Sequence, residues 1–220
     1  MTTLDYAELA RLGVATIYEA SGRQGLVDAE LHQVVPGTRV AGPARTVRCG
    51  QDDNLMVHAV MAAAQPGDVL VLTMPEPAPV ALVGELLATQ AQARGVAAIL
   101  VDAAVRDVEE LRVLGLPIWA RWVRVRGATK TIPGELQVPI AVGGATIRPG
   151  DVIVLDADGA VVVAAERAEP VLEASLAREA RETGLRAEFA AGRLSIDVYN
   201  LRGAVHAQLA PAGQDERSTP

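Results

Sequence analysis

Hydrophobic and polar positions along the chain follow two patterns, one typical of helices and the other typical of buried strands. The N-terminal segment DYAELARLG has the spacing of a short amphipathic helix and predicts a helix that ends at Gly13. The next segment, TIYEASG, begins with Thr16 and has Glu19 three residues later, which is the spacing of a capping box. It predicts a second helix that begins at Thr16 and ends at Gly22.

The middle of the chain alternates helix and strand patterns most regularly. NLMVHAVMAAA, residues 54–64, and GELLATQAQARG, from Gly84 to Gly95, each have helical length and apolar spacing. VAAILVDAA then predicts a buried strand, DVEELRVLG a further helix and LPIWARWV another strand. This order of elements predicts an α/β fold in which the two strands are parallel.

Two segments share one pattern, QPGDVLVL at residues 65–72 and RPGDVIVL at residues 148–155. In each, Pro-Gly-Asp predicts a tight turn that leads into a strand, so we expect two similar units in one mixed sheet. A long charged helix follows the second unit. We expect a single domain over residues 1–209, with a helical extension from about residue 166, and a disordered tail over residues 210–220.

Composition and charge narrow the classes of function. Half of the 220 residues are hydrophobic but only 3% are aromatic, and the formal net charge is −7. Neither property suits a nucleic-acid binder, which needs a basic face and bases stacked on aromatic rings. The chain has no apolar run of membrane-spanning length, and MTTLDYAELA lacks the features of a signal peptide. With Cys49 as the single cysteine, we expect a cytoplasmic protein without nucleic-acid or membrane partners.

Charged residues follow the predicted strand VAAILVDAA, where Asp102, Arg106 and Asp107 come close together. Ligands of open α/β sheets bind beyond the carboxyl ends of the strands. There Arg106 could hold a carboxylate through two parallel hydrogen bonds, and Asp107 could bind Mg²⁺ or Mn²⁺. Asp107 also precedes a predicted helix, however, and its position alone favours a cap of that helix over a metal ligand.

The helix that begins after Gly84 provides a second candidate feature. Its first amides, including those of Leu86 and Leu87, have no partners within the helix and carry the positive end of the helix dipole. Because Gly84 has no side chain, an anion could approach these amides closely. This end of the helix is therefore a candidate site for a carboxylate or a phosphate.

Twenty residues separate Glu85 from Arg106, and Asp107 comes next. This spacing resembles the signature of divalent-metal-dependent class II pyruvate aldolases, in the family named after regulator of ribonuclease activity A. GVATIYEASGRQG, DDNLMVHAVM, VDAAVRDVEELRVLGLPIWAR, PGDVIVLDADGAVVV and FAAGRLSIDVYNLR also resemble family segments in family order, over roughly residues 5–205. The resemblance implies a swivelling β/β/α sandwich with a mixed sheet and flanking helices.

The resemblance assigns roles to matching positions. It implies that Asp107 binds the metal, and that Arg106 and the amides of Leu86 and Leu87, next to Gly84, bind the carboxylate of pyruvate. The same likeness implies that Glu85 holds a water and that Asn54 lines the pocket. A glutamate from a neighbouring subunit is expected to complete the site, and the candidates are Glu182 and, one turn away, Glu179.

The activity implied by the resemblance is cleavage of 4-carboxy-4-hydroxy-2-oxoadipate and 4-hydroxy-4-methyl-2-oxoglutarate to pyruvate and a second oxo acid, through a metal-stabilised pyruvate enolate. Decarboxylation of oxaloacetate is expected as a side activity, and a homotrimer or homohexamer as the assembly. Lys130 is the only lysine, which favours the metal route over a Schiff base. Two positions depart from the family pattern, Glu85 where Asp is common and Ala104 where Gly is expected.

Several residues and functions remain as alternatives. His58 follows Asn54 by one helical turn and either lines the pocket or packs in the core. A basic segment is either an exposed loop or a site for further substrate carboxylates, and it contains Arg121, Arg124, Arg126 and Lys130. The main rival function is that of a metal-free regulator of a ribonuclease. A methyltransferase is less favoured, because no strand is followed by a glycine-rich nucleotide loop.

Overall fold

A computed structural model describes residues 4–209 of the protein, so the tail predicted over residues 210–220 lies outside the described residues. The helices are α1 (Tyr6–Leu12), α2 (Val14–Ala20), α3 (Leu55–Ala63), α4 (Glu85–Ala93), α5 (Val108–Leu114), α6 (Ala168–Ala190), α7 (Ser195–Val198) and α8 (Arg202–Leu209). The strands are β1 (His32–Gln33), β2 (Val40–Arg48), β3 (Val69–Thr73), β4 (Ala81–Val83), β5 (Ala98–Val105), β6 (Ile118–Val123), β7 (Glu135–Leu136), β8 (Ile140–Val142), β9 (Ala145–Ile147), β10 (Val152–Asp156) and β11 (Gly159–Val163).

A mixed sheet organises the fold, with the strand order β1-β6-β5-β3-β2-β10-β11. β4 pairs with β5 and β7 pairs with β2 outside this order. The central strands run parallel in the order β2-β3-β5-β6, and β4 is parallel to β5. β10 pairs antiparallel with both β2 and β11. The predicted α/β class, mixed sheet and parallel pairing of β5 with β6 are therefore confirmed.

Apolar layers cover both faces of the sheet. Helices α3, α4 and α5 pack on one face through residues such as Val57, Leu87 and Leu111. Trp119 and the separate β8–β9 hairpin pack on the other face, and α1 and α2 pack against β10 and β11. β5 is buried along its whole length, because helices or loops cover both of its faces. This explains why its sequence is an almost continuous apolar run.

The two Pro-Gly-Asp segments form equivalent turns, as predicted. Asp68 accepts a hydrogen bond from the amide of Gln65, and Asp151 accepts one from the amide of Arg148, each at 2.7 Å. The glycine before each aspartate has a positive φ, 89° at Gly67 and 86° in the second turn, which only glycine adopts without strain. The strands that follow, β3 and β10, lie on either side of β2 in the same sheet.

The predicted start of the second helix is wrong. α2 begins at Val14, two residues before the expected Thr16, and it has no side-chain cap of its own. The amide of Val14 instead donates to a carboxylate oxygen of Asp156, at 2.9 Å, in the buried end of β10. A residue 142 positions away in the sequence therefore replaces the local capping box.

The chain divides into a larger compact unit that extends to Arg178 and a smaller unit that begins at Glu179. The smaller unit contains the end of α6 together with α7 and α8. Within it, the rings of Phe189 and Tyr199 meet edge to face, with centroids 6.2 Å apart. The single domain over 1–209 stays a prediction.

None of the helices between residues 4 and 209 combines the length and hydropathy needed to cross a bilayer.

Candidate active site

A cleft of about 180 Å³ opens where β4 and β5 end and α4 and α5 begin. Five parts of the chain form it: the start of α3, β4, the start of α4, the turn between β5 and α5, and a loop after β6. Its walls consist of Asn54, His58, Ala81, Leu82, Gly84, Leu86, Leu87, Arg106, Asp107, Gly127, Ala128 and Lys130. Most of the residues predicted for a site in the larger unit therefore lie around one cleft.

The conformation of Asp107 shows that this residue does not cap α5. Asp107 is at the N-cap position of α5, but its side chain makes no capping hydrogen bond. Its backbone is left-handed, with φ 59° and ψ 44°, which is uncommon for a residue with a side chain. The carboxylate faces α4, where it accepts a hydrogen bond from the amide of Glu85 at 3.1 Å. Asp107 therefore occupies the N-cap position of α5 but does not cap that helix.

Arg106 lies beside Asp107 in the cleft. Its Nε is 3.6 Å from Oδ2 of Asp107, and 49% of its side chain is exposed. Two glycines make room for this pair. A Cβ on Gly84 would collide with Asp107 and lie 3.2 Å from Arg106, and one on Gly127 would lie 2.8 Å from Arg106 Nη1. The guanidinium therefore has space in the cleft, and its donors have no hydrogen-bond partner among residues 4–209, so an anionic ligand could bind there.

The N-terminus of α4 faces the same cleft. Gly84 is extended, with φ −133°, and its carbonyl accepts the first intrahelical bond, from Ala88, at 3.1 Å. Between residues 4 and 209, no acceptor is found for the amides of Leu86 and Leu87. These amides add the positive end of a helix dipole to the charge of Arg106.

Asn54 contributes a polar group that lacks a partner. Its Nδ2 donates to the carbonyl of Leu82 at 3.0 Å, which fixes the orientation of the amide. Its Oδ1 is buried and receives no hydrogen bond from any described residue, although the residue lines the cleft and is only 7% exposed. Buried acceptors are nearly always paired, so a water or a ligand donor is expected there.

Asp53 has a structural importance that the sequence interpretation missed. Its side chain is fully buried and accepts hydrogen bonds from Leu55, Thr129, Thr131 and Ile132. Burial alone would raise the pKa of Asp53, but these four hydrogen bonds outweigh it and hold the pKa well below the usual range. The partners of Asp53 at residues 129–132 lie 76 to 79 positions away, so no local pattern in the sequence indicates these contacts.

Glu85 is not among the residues that line the cleft, and Glu182 belongs to the other unit of the chain. Glu85 accepts a hydrogen bond from Thr89 Oγ1, at 2.9 Å, and borders a neighbouring depression together with Val113. Glu182 belongs to the smaller unit, as does its alternative Glu179, and lies 3.4 Å from Arg186. The predicted roles of Glu85 and Glu182 stay predictions.

The basic segment, which begins within β6 at Arg121, separates into residues with different surroundings. Arg121 pairs with Asp102 in the sheet, where burial raises the pKa of Asp102 even though Arg121 acts in the opposite direction. Arg124 donates to the carbonyl of Val123 at 2.7 Å. Lys130 lines the cleft and has no ion pair among residues 4–209. Asp102 of the buried strand β5 therefore pairs with Arg121 inside the sheet, while Lys130 faces the cleft.

The donor set of the cleft suits a hard divalent cation with water ligands. The described part of the chain has no group of three His, Cys, Asp or Glu residues that could enclose a metal. Mg²⁺ keeps several waters and needs only one or two carboxylates, and Asp107 supplies one. The Cys49 thiol is unsuited, since burial, with the charge of Asp53, raises its pKa to about 12.

Comparison with known proteins agrees on one family. The RraA-like family model, described as Aldolase/RraA, matches residues 14–162. A relative from Halalkalibacterium halodurans, named putative 4-hydroxy-4-methyl-2-oxoglutarate aldolase, is 36% identical over 168 residues. That match covers 76% of this chain and 80% of the relative. Similarity of this extent shows family and fold together.

Two solved structures are similar over most of the chain. An uncharacterized protein from Pseudomonas syringae pv. tomato superimposes with a TM-score of 0.78 at 26% identity, over 86% of this chain and 89% of that protein. Streptomyces coelicolor RraAS2, titled an unusual member of the RNase ES inhibitor RraA protein family, has a TM-score of 0.73 at 33% identity. This second match covers 82% of this chain and 94% of RraAS2.

Proposed function

The chain belongs to the RraA-like family, and from that membership we propose that it is a divalent-metal-dependent aldolase, a carbon–carbon lyase. The proposed substrates are 4-hydroxy-2-oxo di- and tricarboxylic acids, such as 4-carboxy-4-hydroxy-2-oxoadipate and 4-hydroxy-4-methyl-2-oxoglutarate. Cleavage would release pyruvate and a second oxo acid. The name of the relative from H. halodurans supports this reaction class.

The observation that carries the proposal is the orientation of Asp107. A helix cap would accept a hydrogen bond from its own helix, whereas this carboxylate is directed at the start of α4, beside Arg106. A left-handed backbone at a residue other than glycine costs free energy, which suits a site where the position of the side chain is needed for function.

Arg106 and the free amides of Leu86 and Leu87 would bind the carboxylate next to the 2-oxo group. Two parallel hydrogen bonds from the guanidinium fix the plane of a carboxylate, and the helix amides complement its charge. Asn54 Oδ1 would accept a hydrogen bond from a donor on the substrate or from a bound water. These contacts would orient the substrate before bond cleavage.

A divalent cation, Mg²⁺ or Mn²⁺, held by Asp107 would supply Lewis-acid stabilisation of negative charge. Cleavage of the C3–C4 bond requires removal of the C4 hydroxyl proton and leaves the electron pair on pyruvate as an enolate. Arg106 would stabilise that charge as it develops. A water held by Glu85 and by Glu182 of a neighbouring subunit would take the proton, and return of a proton to C3 of the enolate would give pyruvate. Decarboxylation of oxaloacetate produces the same enolate, so we propose it as a side activity.

Lys130 would bind a further carboxylate of the substrate. It is the only lysine of the chain and lines the cleft without an ion pair among the described residues. His58 lines the same cleft and could add a hydrogen bond. Lys130 is a second cationic side chain in the cleft that contains Arg106, which supports di- and tricarboxylic acids as the substrate class.

We propose an assembly of three or six subunits with sites shared between neighbours. Two exposed apolar side chains adjoin the start of α4, Leu86 at 82% and Val113 at 91% exposure. Val113 also borders the depression next to Glu85. Apolar groups of this kind beside a site are typical of a surface that another subunit covers.

The experiment is release of pyruvate from 4-carboxy-4-hydroxy-2-oxoadipate by metal-stripped protein, before and after addition of Mg²⁺ or Mn²⁺. Asp107→Ala should lower the metal-dependent rate by at least about a hundredfold, as loss of an essential charged group does. Glu30→Ala removes an exposed acidic side chain that lines neither the cleft nor the depression beside Glu85, and as the control it should keep the rate.

The rival function is binding and regulation of a ribonuclease, because RraAS2 carries such a title. Fold alone does not separate the two functions, since function depends on the site. If the wild type releases no pyruvate from any 2-oxo acid with either metal, the aldolase proposal is wrong. Binding to a ribonuclease assembly would then be the activity to measure.

A further inference from the structure

We propose that Asp53 is a positioning residue, which holds Lys130 against the cleft and thereby sets the preference for substrates with a second carboxylate. This inference rests on the proposed function for what Lys130 binds. Asp53 itself does not line the cleft, since its side chain is fully buried behind Asn54 and the 127–132 segment. It would act only through the residues that it holds.

The carboxylate of Asp53 joins two walls of the cleft. Its Oδ1 accepts from the amide of Leu55, at 2.8 Å, at the start of α3. Its Oδ2 accepts from Thr129 Oγ1 and from the amide of Thr131, both at 2.6 Å, and from the amide of Ile132 at 3.0 Å. The residues on both sides of Lys130 are therefore bonded to one buried oxygen.

Backbone contacts reinforce the same junction. The amide of Asn54 donates to the carbonyl of Thr129 at 2.9 Å, and the amide of Thr129 donates to the carbonyl of Asp52 at 3.0 Å. Gly50 lies so close to Ile132 that a Cβ there would collide with it. The segment that carries Lys130 is thus fixed to the segment before α3, which carries the cleft residue Asn54.

The negative charge of Asp53 is needed for this role. Four donors converge on the carboxylate and hold its pKa below the usual range, so it stays ionised at every pH where the protein would be assayed. An asparagine in its place has one acceptor oxygen and an NH₂ group that can only donate. Asp53→Asn would therefore lose at least one of the four bonds and loosen one wall.

A matched pair of ligands isolates the effect on Lys130. 2-Oxoglutarate and 2-oxopentanoate have the same carbon chain and the same 2-oxo acid group, and differ only in the terminal carboxylate. Their dissociation constants would be measured by calorimetry in the presence of Mg²⁺. A charged hydrogen bond to Lys130 should make the wild type prefer 2-oxoglutarate by about 10- to 100-fold.

The variants are Lys130→Met, Asp53→Asn and their combination. Lys130→Met should abolish the preference, and Asp53→Asn should lower it by about tenfold while 2-oxopentanoate binds as before. In the Lys130→Met background, Asp53→Asn should have no further effect on the preference, because Asp53 acts through Lys130. Lys130→Arg, which keeps the charge, should retain part of the preference.

Asp151→Asn is the control for a purely structural role. Asp151 is a buried aspartate that accepts from two backbone amides, Arg148 and Ala165, and does not line the cleft. It should lose stability without any change in the preference. If Asp53→Asn behaves like this control, the inference is wrong and the proposed function stands. If the wild type binds neither ligand, the proposed function fails, and the inference fails with it.

Discussion

At the scale of single residues, the main feature of the candidate site is the strained backbone of Asp107, whose carboxylate lies between the amide of Glu85 and the side chain of Arg106. The left-handed conformation of Asp107 costs about 1–2 kcal/mol relative to an ordinary backbone. Its carboxylate gains a hydrogen bond from Glu85 and the nearby charge of Arg106 in return. The conformation directs the side chain away from α5 and toward the cleft, so the strain and the candidate chemistry belong to the same residue.

Gly84→Ala tests whether the position of Asp107 matters. The added Cβ would collide with the carboxylate of Asp107 and come within 3.2 Å of Arg106. We expect pyruvate release to fall at least about tenfold, with a loss of about 1–3 kcal/mol in the free energy of unfolding from overpacking. Both would be measured, by a pyruvate assay and by urea denaturation. Gly203→Ala, in α8, where a Cβ meets no atom within 4 Å, should keep the rate of pyruvate release and should not lower the free energy of unfolding, because alanine favours a helix more than glycine does.

At the scale of secondary-structure elements, the spacing of twenty residues between Glu85 and Arg106 has a geometric reason. The chain runs along α4 away from the cleft and returns along β5, so it reaches the same edge of the sheet again. β4 and β5 are parallel neighbours with Val83 level with Val105, and the amide of Arg106 donates to the carbonyl of Val83 at 3.1 Å. The residues after each strand therefore meet.

Asp156→Ala tests the remote cap of α2. This buried carboxylate accepts from the amides of Val14 and Asp158, so its loss leaves both donors without this acceptor. We expect the free energy of unfolding to fall by about 1–3 kcal/mol, measured by urea denaturation. Asp158→Ala, at the exposed neighbouring position, should cost much less. Equal losses from the two variants would contradict the assignment of Asp156 as the cap.

At the scale of the whole molecule, the residues proposed for the site belong to two units of the chain. The cleft of the larger unit contains Arg106 and Asp107, whereas Glu182 belongs to the smaller unit. Large apolar side chains of the smaller unit are also exposed, including Tyr199 at 51% and Leu209 at 75%. These exposed apolar side chains support the proposal that neighbouring subunits complete each other's sites.

A mixture of two inactive variants tests this sharing directly. Asp107→Ala and Glu182→Ala subunits would be unfolded together, refolded and assayed for pyruvate release. If each site takes Asp107 from one subunit and Glu182 from another, random mixing leaves about a quarter of the sites intact, and activity returns to about that fraction of wild type. Each variant refolded alone is the control. A mixture no more active than its components would contradict a shared site.

Much of the fold follows from local sequence patterns. α4, β5, α5 and β6 lie where the apolar spacing predicts them, and β5 pairs parallel with β6 as expected. Helix and strand periods are properties of neighbouring residues, so a single sequence contains them. The same holds for the two Pro-Gly-Asp turns, whose geometry depends on three or four consecutive residues.

The candidate site could be predicted only in part. Arg106, Asp107 and the start of α4 stand out because they follow strand ends at a recognisable spacing. Whether Asp107 caps α5 could not be decided from the sequence, because a cap and a ligand can occupy the same position. The answer required its φ and the position of the Glu85 amide, which is 22 residues away.

The tertiary structure alone decided the features that depend on distant contacts. The start of α2 is set by Asp156, 142 residues away, and the junction at Asp53 by residues 76 to 79 positions later. It also decided that Lys130 faces the cleft while Arg121 pairs with Asp102. Local periodicity determines which elements form, but partners far apart in sequence meet only after the sheet has brought them together, and no short-range pattern records those meetings.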